Sequence, residues 1–106
     1  MTQQYVSGEL SLLLAQLRAV ATSEAFARDI ATLRREAETL PPTALVSVTA
    51  RALAVSDRMC WDSVSRGDAA TFSRQCAVAA ALYEFGICSG LLAEASPPSR
   101  EREVDQ

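Results

Sequence analysis

The stretch CAVAAALYEFGICSGLLA, running from Cys76 to Ala93, decides the fold. Glu84 is its only side chain that is charged at neutral pH. On a helical wheel Phe72, Cys76, Ala79, Tyr83 and Ile87 line one side, and Val78, Leu82, Phe85 and Leu92 point roughly the other way. A helix that is apolar all round is one that is surrounded. The spacing therefore predicts a helix from about Ala69 to Ala95, placed innermost in its domain. The stretch is about as long as the shortest membrane span. Against a bilayer, a mid-segment carboxylate costs a few kcal/mol in hydrocarbon, and much of the run is Ala, Ser and Gly. No basic cluster marks a cytoplasmic flank. The expectation is a protein-enclosed helix and no membrane.

Working back from this helix, Gly67-Asp68 forms the clearest boundary: glycine suits a left-handed helix end, and Asp suits the cap of the next start. Before it, Leu45, Val48, Ala52, Val55 and Met59 repeat at three-four spacing, with Val46, Leu53, Cys60 and Val64 as a second line beside them. This predicts a third helix from about Thr43 to Arg66, its apolar arc approaching half the circumference. Arg58 and Asp62, one turn apart, are expected to pair weakly.

Pro41-Pro42 closes the preceding helix, because the residue before a proline is pushed out of helical geometry. That second helix carries Phe26, Ile30, Leu33, Ala37 and Leu40 on one stripe, with Asp29, Arg34, Arg35, Glu36 and Glu38 outside. It is the most amphipathic of the set and is expected to lie outermost. Ser23 is its N-cap and Glu24 suits the positive end of its dipole. A first helix from about Ser7 to Ala21 presents Leu10, Leu13, Leu14, Leu17, Val20 and Ala21. Thr22-Ser23 breaks the phase, but neither Gly nor Pro separates the two stripes, so one long bent helix from Ser7 to Thr39 is the alternative.

The short connections favour sequential antiparallel neighbours. The expected architecture is all-α: a four-helix up-and-down antiparallel bundle over residues 7–95, the apolar fourth helix innermost, or three helices if the first two are continuous. Residues 1–6 read as a flexible lead, and 96–106, opened by Ser96-Pro97-Pro98, as a disordered charged tail.

At 106 residues, with 49% hydrophobic and 22% charged content, the chain is one core-forming domain. The ten basic residues are all arginine, and Lys, Asn and His are absent, a bias that suggests a GC-rich bacterial genome. Without His there is no imidazole base and no His metal ligand. A net charge of −3 opposes nucleic-acid binding. Cys60, Cys76 and Cys88 are odd in number and not at metal spacing, so they read as reduced, buried thiols. Cys76 and Cys88 lie three turns apart on one helix, too far to share an ion. No secretory signal pattern opens the chain, and a cytoplasmic location is expected.

Few residues stand out for function. Gly86 and Gly90 form a small-xxx-small pair that would suit close helix–helix approach. Trp61 is either a partner anchor or a lid on the core rim. Met59, Trp61, Tyr83 and Phe85 are the residues that would line a pocket between helices three and four. Glu84 is expected to pair with Arg58 or Arg74 or to face solvent, because no nucleophile or second carboxylate accompanies it. The four glycines make no phosphate loop, and no helix pair shows a basic recognition face.

The expectation is a non-enzymatic protein–protein interaction module, a small acidic adaptor, chaperone or regulatory subunit. It is expected to be homodimeric, with room for an unidentified protein partner and with no catalytic residue, cofactor or metal. The alternative is a small-ligand binder or enzyme using the pocket between helices three and four.

Overall fold

A computed structural model describes residues 3–92 of the chain, and side chains from residue 6 onward. Four helices make up the bundle: α1 (Gln3–Ala19), α2 (Glu24–Thr39), α3 (Leu45–Ser65) and α4 (Ala69–Cys88), with a 3-10 turn at Pro42–Ala44 between α2 and α3. The first two helices are separate. Ser23 sits in extended backbone and its hydroxyl accepts from the Phe26 amide over 3.1 Å, capping α2. That side-chain bond satisfies an amide the first turn would otherwise leave unpaired. α1 begins earlier than its leucine stripe implies, taking in residues 3–6, which the sequence places in the lead. The remainder of the expected lead and all of 93–106, including the last turn predicted for the fourth helix and the tail, lie outside the described residues.

Cross-helix pairs fix the directions. Ser7 near the start of α1 donates to the Ala37 carbonyl near the end of α2. Arg51 and Glu36 join the first half of α3 to the second half of α2, and Ser63 near the end of α3 meets Gln75 near the start of α4. Each neighbour runs opposite to the last. The helices form a ring in which α4 returns to α1, and α1 also touches α3 across the diagonal.

Leu10, Leu14 and Leu17 of α1, Ile30, Leu33 and Ala37 of α2, Leu45, Val48, Ala52, Val55 and Met59 of α3, and Leu82 of α4 make the core. Each such Leu, Ile or Met contributes about 2 kcal/mol by leaving water. Ser11 is buried with them at the α1–α2 seam, where it donates to Glu38 over 2.6 Å and accepts from Arg34 over 3.0 Å.

Two expectations about the helices need correction. α4 is not innermost: of its side chains only Gln75, Leu82 and the Gly86 position are buried, and Tyr83 is 52% exposed. A ring of four helices has no central place, so each helix occupies a corner. The helix with the most enclosed surface is α3, which meets α2, α4 and the diagonal α1. α4 also stops at Cys88, because Gly90 turns to φ 83°. That left-handed residue lets the Leu92 amide bond back to the Gly86 carbonyl over 3.0 Å, ending the helix in the manner glycine permits. A third difference is small: Arg58 does not pair with Asp62 but reaches Asp29 on α2 at 3.8 Å, while Asp62 accepts from Arg66 at 2.6 Å.

Candidate functional site

The expected pocket of Met59, Trp61, Tyr83 and Phe85 is not assembled. Residues two apart on a helix differ by roughly 200° in azimuth, so Met59 and Trp61 face opposite ways, as do Tyr83 and Phe85. Met59 is wholly buried in the core, whereas Trp61 is 65% exposed. Phe85 packs against the core from the α1 side, and Tyr83 stands outward.

The same geometry gathers other residues. Val46, Leu53, Asp57, Cys60 and Val64 fall on one line of α3, with Trp61 at its edge, and Phe72, Cys76, Ala79, Tyr83 and Ile87 fall on the adjoining line of α4. Two contacts hold these lines in antiparallel register: Ser63 with Gln75 at one end, and Thr49 beside Gly86 at the other. Val46, Trp61, Val64, Tyr83 and Ile87 are all exposed large apolar side chains. They span the length of the α3–α4 seam, and Asp57 is the only charged residue among the two lines.

At the Trp61 end the seam opens into a cavity of about 310 Å³ lined by Asp57, Cys60, Trp61, Val64, Phe72 and Cys76. Burial pushes the Cys60 thiol up to about 11, and the Cys76 thiol beside it adds to the shift by like-charge repulsion and by hydrogen bonding to the protonated form. The sequence alone does not show this pairing, since it needs the register between two helices. Cys88 is exposed on another face, where it lines a groove of about 530 Å³ between α1 and α4 with Val6, Leu13, Glu84 and Phe85 among its walls. Glu84 is exposed there, with no arginine among the groove's lining residues.

The two expected glycines have different roles. Gly86 is buried, with Leu92 folded over it and Thr49 of α3 alongside. Gly90 is exposed, has open space around its α-carbon and serves the turn that ends α4. A further hollow between α2 and α3 is lined by Arg51 and Arg58, but Arg51 is bound to Glu36 at 2.5 Å and Arg58 faces Asp29. The Arg51 guanidinium holds the Glu36 carboxyl below the ordinary carboxylate range. Each cation therefore already faces a carboxylate, Arg51 closely and Arg58 at longer range.

No known protein family, curated protein or solved structure matches this chain. Among the described residues, no helix is long and apolar enough to cross a membrane, and no group of three or more Cys, Asp or Glu side chains is placed to hold a metal ion.

Proposed function

We propose that the protein is a non-enzymatic protein–protein interaction module, a small adaptor, chaperone or regulatory subunit, which pairs with a second copy of itself through the α3–α4 seam. The observation that carries this reading is the row Val46, Trp61, Val64, Tyr83 and Ile87, five large apolar side chains exposed along adjoining helices. Contiguous exposed apolar surface of this kind marks association sites. Aromatic anchors such as Trp61 and Tyr83 are the side chains that contribute most to binding energy. A two-fold axis across the seam brings like residues together, the commonest arrangement for soluble oligomers. With Asp57 the only charge on the two lines, little desolvation opposes that contact.

Sedimentation velocity across a concentration series tests the proposal. A dimer that Trp61→Glu and Tyr83→Glu each convert to a folded monomer is the expected result. A wild-type chain that stays monomeric at about 100 μM, a concentration well above the Kd of an ordinary specific dimer, and binds no apolar-surface dye overturns it.

A second reading rests on the 310 Å³ cavity under Trp61, which lies at the small end of the range for ligand pockets. A large, specific thermal stabilisation by one small compound would favour that reading.

A further inference from the structure

The cysteines divide into a pair and a bystander. Cys60 on α3 and Cys76 on α4 line the same cavity, whereas Cys88 opens onto the α1–α4 groove on another face. Both members of the pair are half-buried, and the cavity they share is bounded on its outer side by the exposed ring of Trp61. The register that brings them together is pinned close by: the Ser63 hydroxyl donates to the Gln75 side chain over 2.7 Å, with Ser63 one turn from Cys60 and Gln75 adjacent to Cys76. Ala79, one turn after Cys76 on the same line of α4, presents only a methyl group at the seam.

We propose that Cys60 and Cys76 form an oxidisable dithiol, which a peroxide converts to an intramolecular disulfide tying α3 to α4. One thiolate attacks a peroxide oxygen and expels hydroxide, leaving a sulfenic acid. The second thiol's sulfur then attacks the sulfenic sulfur and forms the S–S bond, while its proton leaves with the sulfenic oxygen as water. The hydroxide takes up the proton released from the first thiol. In sum, two thiols and one hydrogen peroxide give one disulfide and two waters. Either thiol can take the first step, since its thiolate is the nucleophile, and the other, lining the same cavity, resolves the sulfenic acid. The pair lies on the lines proposed to meet a second copy, so the oxidation is read on protein dilute enough to be monomeric.

The full chain carrying Cys88→Ser, which retains only the two paired thiols, provides the test. After a few equivalents of hydrogen peroxide and alkylation with N-ethylmaleimide, its intact mass should be lower by two hydrogens and carry no label. Trypsin, cutting after Arg58, Arg66 and Arg74, should release the Cys60 peptide joined to the Cys76 peptide, and dithiothreitol should restore two alkylatable thiols. The bond closes a short loop between helices, so Tm should rise on the order of 10 °C. The wild-type chain should lose two of its three thiols under the same treatment. Two thiols that stay fully alkylatable, sulfinic acids formed without a crosslink, or a crosslink found only between separate chains would each overturn the proposal.

Discussion

Ser63 donates its hydroxyl proton to the side-chain carbonyl of Gln75 over 2.7 Å, with both side chains buried. The Gln75 amide nitrogen then donates to the Val20 carbonyl over 2.9 Å. One glutamine on α4 thus joins α3 to the end of α1, with both ends of its amide satisfied, as a buried polar group requires. Gln75→Ala leaves the Ser63 hydroxyl and the Val20 carbonyl without this partner and opens a void. The expected cost is about 3 kcal/mol, each orphaned group contributing about 1–3 kcal/mol before the cavity is counted. Ser63→Ala should cost about 1 kcal/mol, and the double variant less than the two losses added, because the pair shares one interaction. Urea denaturation supplies the measurement. A Gln75→Ala loss under about 1 kcal/mol would show that the glutamine does not clamp the helices.

Gln75 also shows where the sequence stops being readable. The stripes of Leu10, Leu14 and Leu17, of Ile30, Leu33 and Ala37, and of Leu45, Val48, Ala52, Val55 and Met59 all became core, because three-four periodicity reports a buried face directly. The breaks at Ser23, Pro41-Pro42 and Gly67-Asp68 fell where capping and proline geometry place them. A buried glutamine has no such signature, since its polarity counts against burial until its partners are known. α4 misled for a related reason: its apolar character is largely alanine, which is equally at ease in a core and on an exposed helix surface. The pocket residues failed on azimuth, which was already calculable from the spacing of Met59 and Trp61. The Cys60–Cys76 pair depends on the register between two helices, which neither helix encodes alone.

Acid should weaken the start of α4 through Asp68. Its carboxylate accepts from the Thr71 amide over 3.1 Å. Hydrogen bonds from Thr71, aided by Arg74 and Arg66, hold the group below the ordinary carboxylate range. A depressed carboxylate contributes stability that is fully present above its unfolded value, near pH 4, and is lost as pH falls through the folded value. Asp68→Asn keeps a capping oxygen but has no charge to titrate. The wild-type chain should therefore melt above Asp68→Asn at pH 7, and the gap should close as pH falls below the unfolded value of about 4. Melting curves across that range decide it; a gap that stays constant or widens in acid contradicts the cap's charge dependence.

The two glycines of α4 and its closing turn should respond in the order opposite to their burial. At Gly86 a new β-carbon would lie 2.6 Å from Leu92 Cγ and 3.4 Å from Thr49 Cγ2. The close atoms belong to the outer part of a leucine side chain that can swing aside, and alanine gains about 1 kcal/mol over glycine within a helix. Gly86→Ala should thus be neutral to within about 1 kcal/mol, with Leu92 displaced from α4. Gly90 has open space around it but holds φ at 83°. Alanine there meets the left-handed penalty of about 1–2 kcal/mol with no compensating contact. Thermal or urea unfolding that ranks buried Gly86→Ala as the more damaging change would show that Leu92 cannot yield.

Thr49 on α3 sets polarity against packing at a single side chain. It is fully buried, and its hydroxyl has no hydrogen-bond partner among the described residues. Its methyl group lies where it would meet a side chain at Gly86. Thr49→Val keeps the branched shape and its rotamer restriction while replacing the desolvated hydroxyl with a methyl. Removing an unpaired buried hydroxyl in this way should raise stability by about 1 kcal/mol. Thr49→Ser makes the converse change: the hydroxyl stays and the methyl facing Gly86 is lost, which should cost about 1 kcal/mol as a small void. Both variants can be compared by urea denaturation at constant slope, so that only the midpoint moves. If the valine variant is the less stable of the two, the Thr49 hydroxyl is bonded in solution, and the α3–α4 contact at Gly86 is held by polarity as well as by fit.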